Sequence, residues 1–162
     1  AARAAGYSPN IKGIEIIFRT LLAQFEIDDS KLVVADASGL SKKNKITAKL
    51  MGELLYKIRK DERYALLYES LPIGGVSGTL QSRFTTTAPS AVGLVRAKTG
   101  TLNGTATLAG YVQSTDREYV FVTLADDIAK GNAALNKARA AIDRVLGRIA
   151  APNIPAEISP AP

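Results

Sequence analysis

Val95-Arg96-Ala97-Lys98-Thr99-Gly100-Thr101-Leu102, followed at once by Asn103-Gly104 and the run 105–113, is the stretch from which the fold is read. Asn-Gly between two runs rich in apolar and β-branched residues signals a tight turn, so the two runs are read as an antiparallel hairpin. Successive side chains on a strand point to opposite faces, which places Lys98 with Gly100 on one face and Thr99 with Thr101 on the other. Gly100 has no side chain, so another molecule's backbone can approach there. A cation, two hydroxyls and an accessible strand suit an extended peptide that ends in a carboxylate.

Three β runs are expected in all, over 94–101, 105–113 and 118–125, with the polar loop Ser114-Thr115-Asp116-Arg117 joining the second to the third. They form an antiparallel meander. A final helix follows Gly131 and Asn132, with Ala134, Leu135, Ala138, Ala141, Ile142, Val145, Leu146 and Ile149 on its apolar side. The tail, residues 151–162, carries four prolines and is read as extended or loose.

Before the hairpin the pattern is helical. Apolar residues at 14, 17, 18, 21, 22 and 25 form a stripe, with Ser8 or Asn10 as the cap and Pro9 near the start. Residues 32–35 read as a short, buried β run. The loop Asp36-Ala37-Ser38-Gly39-Leu40-Ser41-Lys42-Lys43-Asn44 is rich in turn formers. Thr47 caps a second helix, and residues 61–71 form a shorter one stopped by Pro72. The glycine-rich loop 73–79 has neither the spacing nor the lysine of a phosphate-binding loop. Residues 80–84 read as a helical turn and 85–93 as a loop. The order is helices, then a sheet, then a closing helix. It predicts an α/β or α+β fold with helices packed on an antiparallel sheet. One domain over 1–150 is expected, followed by the tail.

Composition narrows the chemistry. The 162 residues contain no cysteine and no histidine, so neither a Ser-His-Asp triad nor a histidine-based metal site can be built from them. The formal charge is +6, from 21 basic and 15 acidic residues. The densest basic cluster, Lys42, Lys43, Lys45 and Lys49, has no aromatic residues interleaved for base stacking. It is read as a solvated face, and nucleic acid is not an expected partner.

Lys98-Thr99-Gly100 matches the third motif of the penicillin-recognising serine enzymes. Its surroundings extend the match: Arg96 to Gly104 runs into Ala106-Thr107-Leu108-Ala109-Gly110-Tyr111. Upstream lie the loop 36–44 and the block Leu71-Pro72-Ile73-Gly74-Gly75-Val76-Ser77-Gly78-Thr79-Leu80. In this order the blocks resemble the class C low-molecular-mass penicillin-binding proteins, the D-alanyl-D-alanine carboxypeptidase/endopeptidase family. The resemblance implies the C-terminal part of a penicillin-binding-protein or serine β-lactamase-like transpeptidase fold. It also implies a bacterial, extracytoplasmic enzyme acting on peptidoglycan stem peptides that end in D-Ala-D-Ala, sensitive to β-lactams and needing no metal or cofactor.

By the same resemblance, Lys98 is catalytic, and Thr99 and Thr101 hold the terminal carboxylate. The backbone around Gly100 and Thr101 pairs with the extended peptide, and the Thr101 N–H contributes to the oxyanion hole. Leu40, Ser41, Lys42 and Leu102 border the pocket for the stem peptide's side chain. Many relatives carry arginine at the Lys42 position; lysine keeps the charge and loses bidentate carboxylate binding.

The nucleophile of the family is absent from this stretch. No serine among the 162 residues has a lysine three positions later. Ser8-Pro9-Asn10 spells the second motif, but its proline suits a helix start better. The expectation is the C-terminal part of a longer enzyme, with Ser-x-x-Lys and Ser-x-Asn supplied by its N-terminal part and this chain alone inactive. A non-catalytic peptidoglycan-binding module of the same fold, and an anion-binding surface, are the competing readings.

Overall fold

Asn10 opens the first helix, because its backbone is extended and its side-chain oxygen accepts the Gly13 N–H at 2.9 Å. In this computed structural model, which describes residues 3–152, the described residues form two compact units that divide between Glu69 and Ser70. The expected tail falls almost wholly outside the described residues.

In the first unit, helix α1 (Ile11–Gln24) buries Leu22 beside Ile27, Leu32, Val34 and Leu50. Arg19 ties α1 to the segment after it. It donates to Glu15 and to the carbonyls of Asp29 and Leu32, and it pairs with the Asp29 carboxylate at 3.0 Å. Those acceptors hold the Arg19 guanidinium above its ordinary pKa, Glu15 being the larger cause. Residues 32–35 do not form the expected strand. They make one isolated antiparallel bridge, Val33 to Lys45, because the chain turns away at Asp36 before a ladder can continue. Leu32 and Val34 still point inward while Val33 is exposed, so the period-2 pattern is real without a sheet.

Helix α2 (Ala48–Arg59) starts where Thr47 Oγ1 accepts the Leu50 N–H at 3.1 Å, and it buries Leu50 and Ile58. The expected helix over 61–71 is broken into two pieces, a 3₁₀ turn at Glu62–Tyr64 and the short helix α3 (Ala65–Glu69). Asp61 caps the turn by accepting the Arg63 N–H. The helix ends before Leu71, whose backbone the following proline biases away from the helical region.

The second unit is built on strands β1 (Val95–Leu102), β2 (Thr105–Gln113) and β3 (Glu118–Ala125). They pair antiparallel in the order β1-β2-β3, with Thr99 opposite Leu108 and Thr101 opposite Ala106. The turn between β1 and β2 needs Gly104, whose φ is +85°. Helix α4 (Asn132–Ala150) packs on the sheet, and Leu80, Phe84, Val95, Leu108, Val112 and Leu146 are the largest side chains sealed in this core. The chain is therefore the mixed α/β architecture its sequence predicts, with a meander and a closing helix.

The buried face of α4 differs from the apolar side read in the sequence. Ile142, Asp143, Leu146, Gly147 and Ala150 are buried, whereas Val145 is 56% exposed. Two contacts set this rotation. Gly147 faces the 3₁₀ turn Pro89–Ala91 so closely that a Cβ there would lie 2.8 Å from the Ala88 Cβ. Asp143 turns inward to meet Arg83. No helix among the described residues is long and apolar enough to cross a membrane.

Candidate functional site

β1 is an edge strand, and its outer edge has two halves. The first half is covered: Ala97 N–H donates to Pro72 O at 3.0 Å, and Gly74 N–H donates to Val95 O at 2.8 Å. Ile73 bridges Arg96 there. On an edge strand, alternate residues turn their N–H and C=O away from the paired neighbour. Val95 and Ala97 are such residues, so Thr99 and Thr101 turn outward as well. Within this unit no described backbone group pairs with them. The outer edge is thus closed up to Ala97 and open from Lys98 to Leu102.

The side chains change character at the same point. Val95 and Ala97 are fully buried on the core face of β1. Thr99 and Thr101 continue that face as hydroxyls where the cover ends. Lys98, on the opposite face, is exposed and bends its ammonium to the Thr99 carbonyl at 2.6 Å, on the open edge. Gly100 is filled by the sheet itself. A Cβ there would lie 2.3 Å from Thr107 Oγ1, which donates to the Gly100 carbonyl at 3.3 Å. The close approach at this glycine is made by a neighbouring strand of the same chain. Leu102 is half-buried at the strand's end, next to the turn.

Beneath Thr99 and Thr101 lies an open pocket of about 430 Å³, lined among others by Thr79, Ser82, Asn136 and Arg139. Thr99 Oγ1 is 3.1 Å from Thr79 Oγ1, and Arg139 Nη2 donates to Thr101 Oγ1 at 3.1 Å. The floor is a buried ion pair. The Arg83 and Asp143 side chains are 12% and 4% exposed, and Asp143 also accepts from Thr87 Oγ1 at 3.1 Å. Arg83 is thereby neutralised, while Arg139 has no carboxylate partner among the described residues. The pocket is a group of hydroxyl donors under a net positive charge, an environment for an anion.

The remaining residues singled out in the sequence sit on one loop of the first unit. Asp36 organises that loop: it accepts from Gly39 N–H at 2.9 Å, Ser41 N–H at 2.8 Å, Ser38 Oγ at 3.1 Å and Asn44 Nδ2 at 2.7 Å. These donors, Asn44 foremost, hold its carboxylate below the usual range. Asn44 closes the ring by accepting the N–H groups of Ala35 and Asp36. The loop presents Leu40, 72% exposed, and Lys42 to solvent, while Ser41 is half-buried. The structure thus groups Lys98, Thr99, Gly100, Thr101 and Leu102 on one strand and Leu40, Ser41 and Lys42 on one loop.

Sequence reasoning missed Thr79, Arg83, Asn136, Arg139 and Asp143. One signal was present: Arg139 and Asp143 lie four apart, and Asp143 falls between Ile142 and Leu146 in the helix's apolar run. A charge at such a position requires a partner from elsewhere in the fold.

The D-Ala-D-Ala carboxypeptidase 3 (S13) family model matches residues 9–149. The chain belongs to this family. It is 39% identical over 128 residues to the Carboxypeptidase DacB of Mycolicibacterium smegmatis, covering 76% of this chain and 27% of that protein. With the D-alanyl-D-alanine carboxypeptidase DacB of Haemophilus influenzae it shares 36% identity over 115 residues, 70% of this chain and 24% of the relative. The chain therefore spans about a quarter of the length of these curated relatives. In three dimensions it resembles the crystal structure of penicillin binding protein 4 (dacB) from Haemophilus influenzae complexed with a novel β-lactam. The TM-score is 0.75 at 28% identity, over 87% of this chain and 34% of that one. The S13 family is one of low-molecular-mass penicillin-binding proteins, and its members are D-Ala-D-Ala carboxypeptidases.

Proposed function

We propose that this chain supplies the substrate-binding strand of a serine-type D-Ala-D-Ala carboxypeptidase/endopeptidase that works on peptidoglycan stem peptides outside the cytoplasmic membrane. The observation that carries the reading is the open outer edge of β1 from Lys98 to Leu102, which begins where the cover by residues 72–74 ends. An extended peptide adds to that edge through the outward N–H and C=O groups of Thr99 and Thr101. Its terminal carboxylate meets the two threonine hydroxyls, and Lys98 places a positive charge at the strand's rim. On this strand Leu102 borders the stem peptide's side chain and the peptide backbone passes Gly100; Leu40, Ser41 and Lys42, on the loop of the first unit, are the other candidate substrate contacts.

The chemistry is acyl transfer. A serine Oγ attacks the carbonyl carbon of the penultimate D-Ala, the C–N bond to the last D-Ala breaks, and the serine proton passes to the departing amine. Water then attacks the ester and restores the serine. A β-lactam enters by the same first step, its ring C–N bond opening in place of the peptide bond. The Thr101 N–H lies on the open edge, where it stabilises the developing oxyanion. Lys98 assists proton movement and balances charge. The serine and its lysine come from outside the 162 residues, since these contain no Ser-x-x-Lys. That absence also favours a second reading, a non-catalytic peptidoglycan-binding module.

The test is release of D-Ala from a D-Ala-D-Ala peptide by the full-length gene product. The wild type should release it, and Lys98→Ala should lower the rate by about 10²–10⁴-fold, the span of a proton-transfer group. Binding of the peptide without any release supports the second reading and overturns the first.

A further inference from the structure

We propose that Arg139 is a substrate-recognition residue. It supplies positive charge to the carboxylate pocket and, by donating to Thr101, fixes that threonine as a hydrogen-bond donor to the substrate's terminal carboxylate. The inference rests on β1 being the substrate strand.

The argument begins with what each group can do. A threonine hydroxyl has one proton to give and two lone pairs to accept with, whereas a guanidinium only donates. Arg139 Nη2 lies 3.1 Å from Thr101 Oγ1, so Thr101 accepts in that bond. Its own proton must then point to a different acceptor. Thr101 is exposed, and no other described acceptor takes that proton. A carboxylate is an acceptor-only group and fits the place. Thr99, two residues earlier on the same face, already has Thr79 Oγ1 at 3.1 Å, so the pair offers one further proton between them.

Charge makes the same case. The carboxylate on the pocket floor, Asp143, is engaged by Arg83 and Thr87. Among the described residues Arg139 is left with Thr101 and the Asn136 amide oxygen, the latter at 3.3 Å. A half-buried guanidinium bonded to neutral oxygens retains donors and its full charge for an incoming anion.

Position completes it. Arg83 Nη2 donates to the Arg139 carbonyl at 3.2 Å, so the buried ion pair fastens α4 at the residue that faces β1. The helix therefore presents Arg139 from a fixed backbone. The cation is set 38 residues from the strand it serves, outside the Lys-Thr-Gly motif.

The experiment compares acylation of the full-length gene product by a penicillin and by its methyl ester, which lacks the negative charge. Arg139→Ala should slow acylation by the free acid about 10- to 100-fold, the scale of a lost charge-assisted hydrogen bond, and change the ester's rate by less than about threefold. Arg139→Lys should recover part of the acid's rate, since it restores charge without the fork. Thr101→Val should be non-additive with Arg139→Ala for the acid, because the two act on one carboxylate. Equal losses for acid and ester, or strict additivity with Thr101→Val, overturn this inference while leaving the strand's role intact. If neither compound acylates the wild type, the proposed function and this inference fall together. Arg139→Gln with an unchanged melting temperature serves where alanine impairs folding, and it should show the same selective loss for the acid.

Discussion

Replacing Asp143 with alanine removes the acceptor that neutralises Arg83 in the core of the second unit. The geometry sets the size of the effect. The Asp143 and Arg83 side chains are 4% and 12% exposed, so little water reaches the pair to replace the lost partner. Two further groups are stranded: the Thr87 hydroxyl, now 3.1 Å from its acceptor, and the Arg83 Nε, which lies 3.4 Å from the same carboxylate. Breaking a buried pair from one side costs about 3–5 kcal/mol, because the remaining charge stays buried and unpaired. With a urea dependence of about 1–3 kcal/mol per molar, the unfolding midpoint should fall by roughly 1 M or more. The assay is urea unfolding of the full-length gene product, with hydrogen exchange of the α4 amides reading this unit by itself. The double variant Arg83→Met with Asp143→Leu should recover most of the loss, since an apolar pair of similar volume leaves no charge behind. A cost below about 1 kcal/mol for Asp143→Ala, or a double variant as damaged as the single one, would refute the reasoning.

Gly100→Ala should destabilise the β1–β2 pair by about 1–3 kcal/mol, the range for overpacking, because the new Cβ meets Thr107 Oγ1 at 2.3 Å. Adding Thr107→Ala should restore the melting temperature; failure to do so would place the clash elsewhere. Asp36 gives a pH prediction. Its carboxylate is held below the usual range by Asn44 and the loop amides, so its bonds are intact above the unfolded value of about 3.9. They are lost as pH falls from there through the lower folded value. The Gly39 and Ser41 amide resonances should shift with a midpoint below about 3.9, and Asp36→Asn should abolish the transition; a midpoint at or above the ordinary value would contradict the loop's construction.

The sequence was most informative where the determinants are local. The meander could be read because Asn103-Gly104 fixes a turn and the runs either side alternate, and the observed strands begin and end within a residue of the expected ones. The division of Lys98 and Gly100 from Thr99 and Thr101 followed from the same period. The caps at Asn10 and Thr47 are short-range chemistry as well. What escaped depends on distance along the chain. Residues 32–35 are a continuous apolar run of the kind a buried strand shows, but a strand needs a neighbour, and Lys45 offers it only one bridge. The apolar count on α4 put Val145 inside; the contacts of Asp143 with Arg83, 60 residues away, turned it out. The covered and open halves of β1's edge are set by residues 72–74, and no pattern within the strand records them. Thr101's partner Arg139 lies on another element, so the motif showed one wall of the pocket and not the other.

The central claim is that Lys98, Thr99 and Thr101 form one wall of a penicillin-reactive site whose serine lies outside these residues. Labelled penicillin, followed by peptide mapping of the adduct, tests it most directly. The label should appear in the full-length gene product on a serine outside residues 1–162, and the isolated 162-residue chain should take up none. A covalent adduct on any residue within 1–162, or no adduct on the full-length protein, would contradict the account.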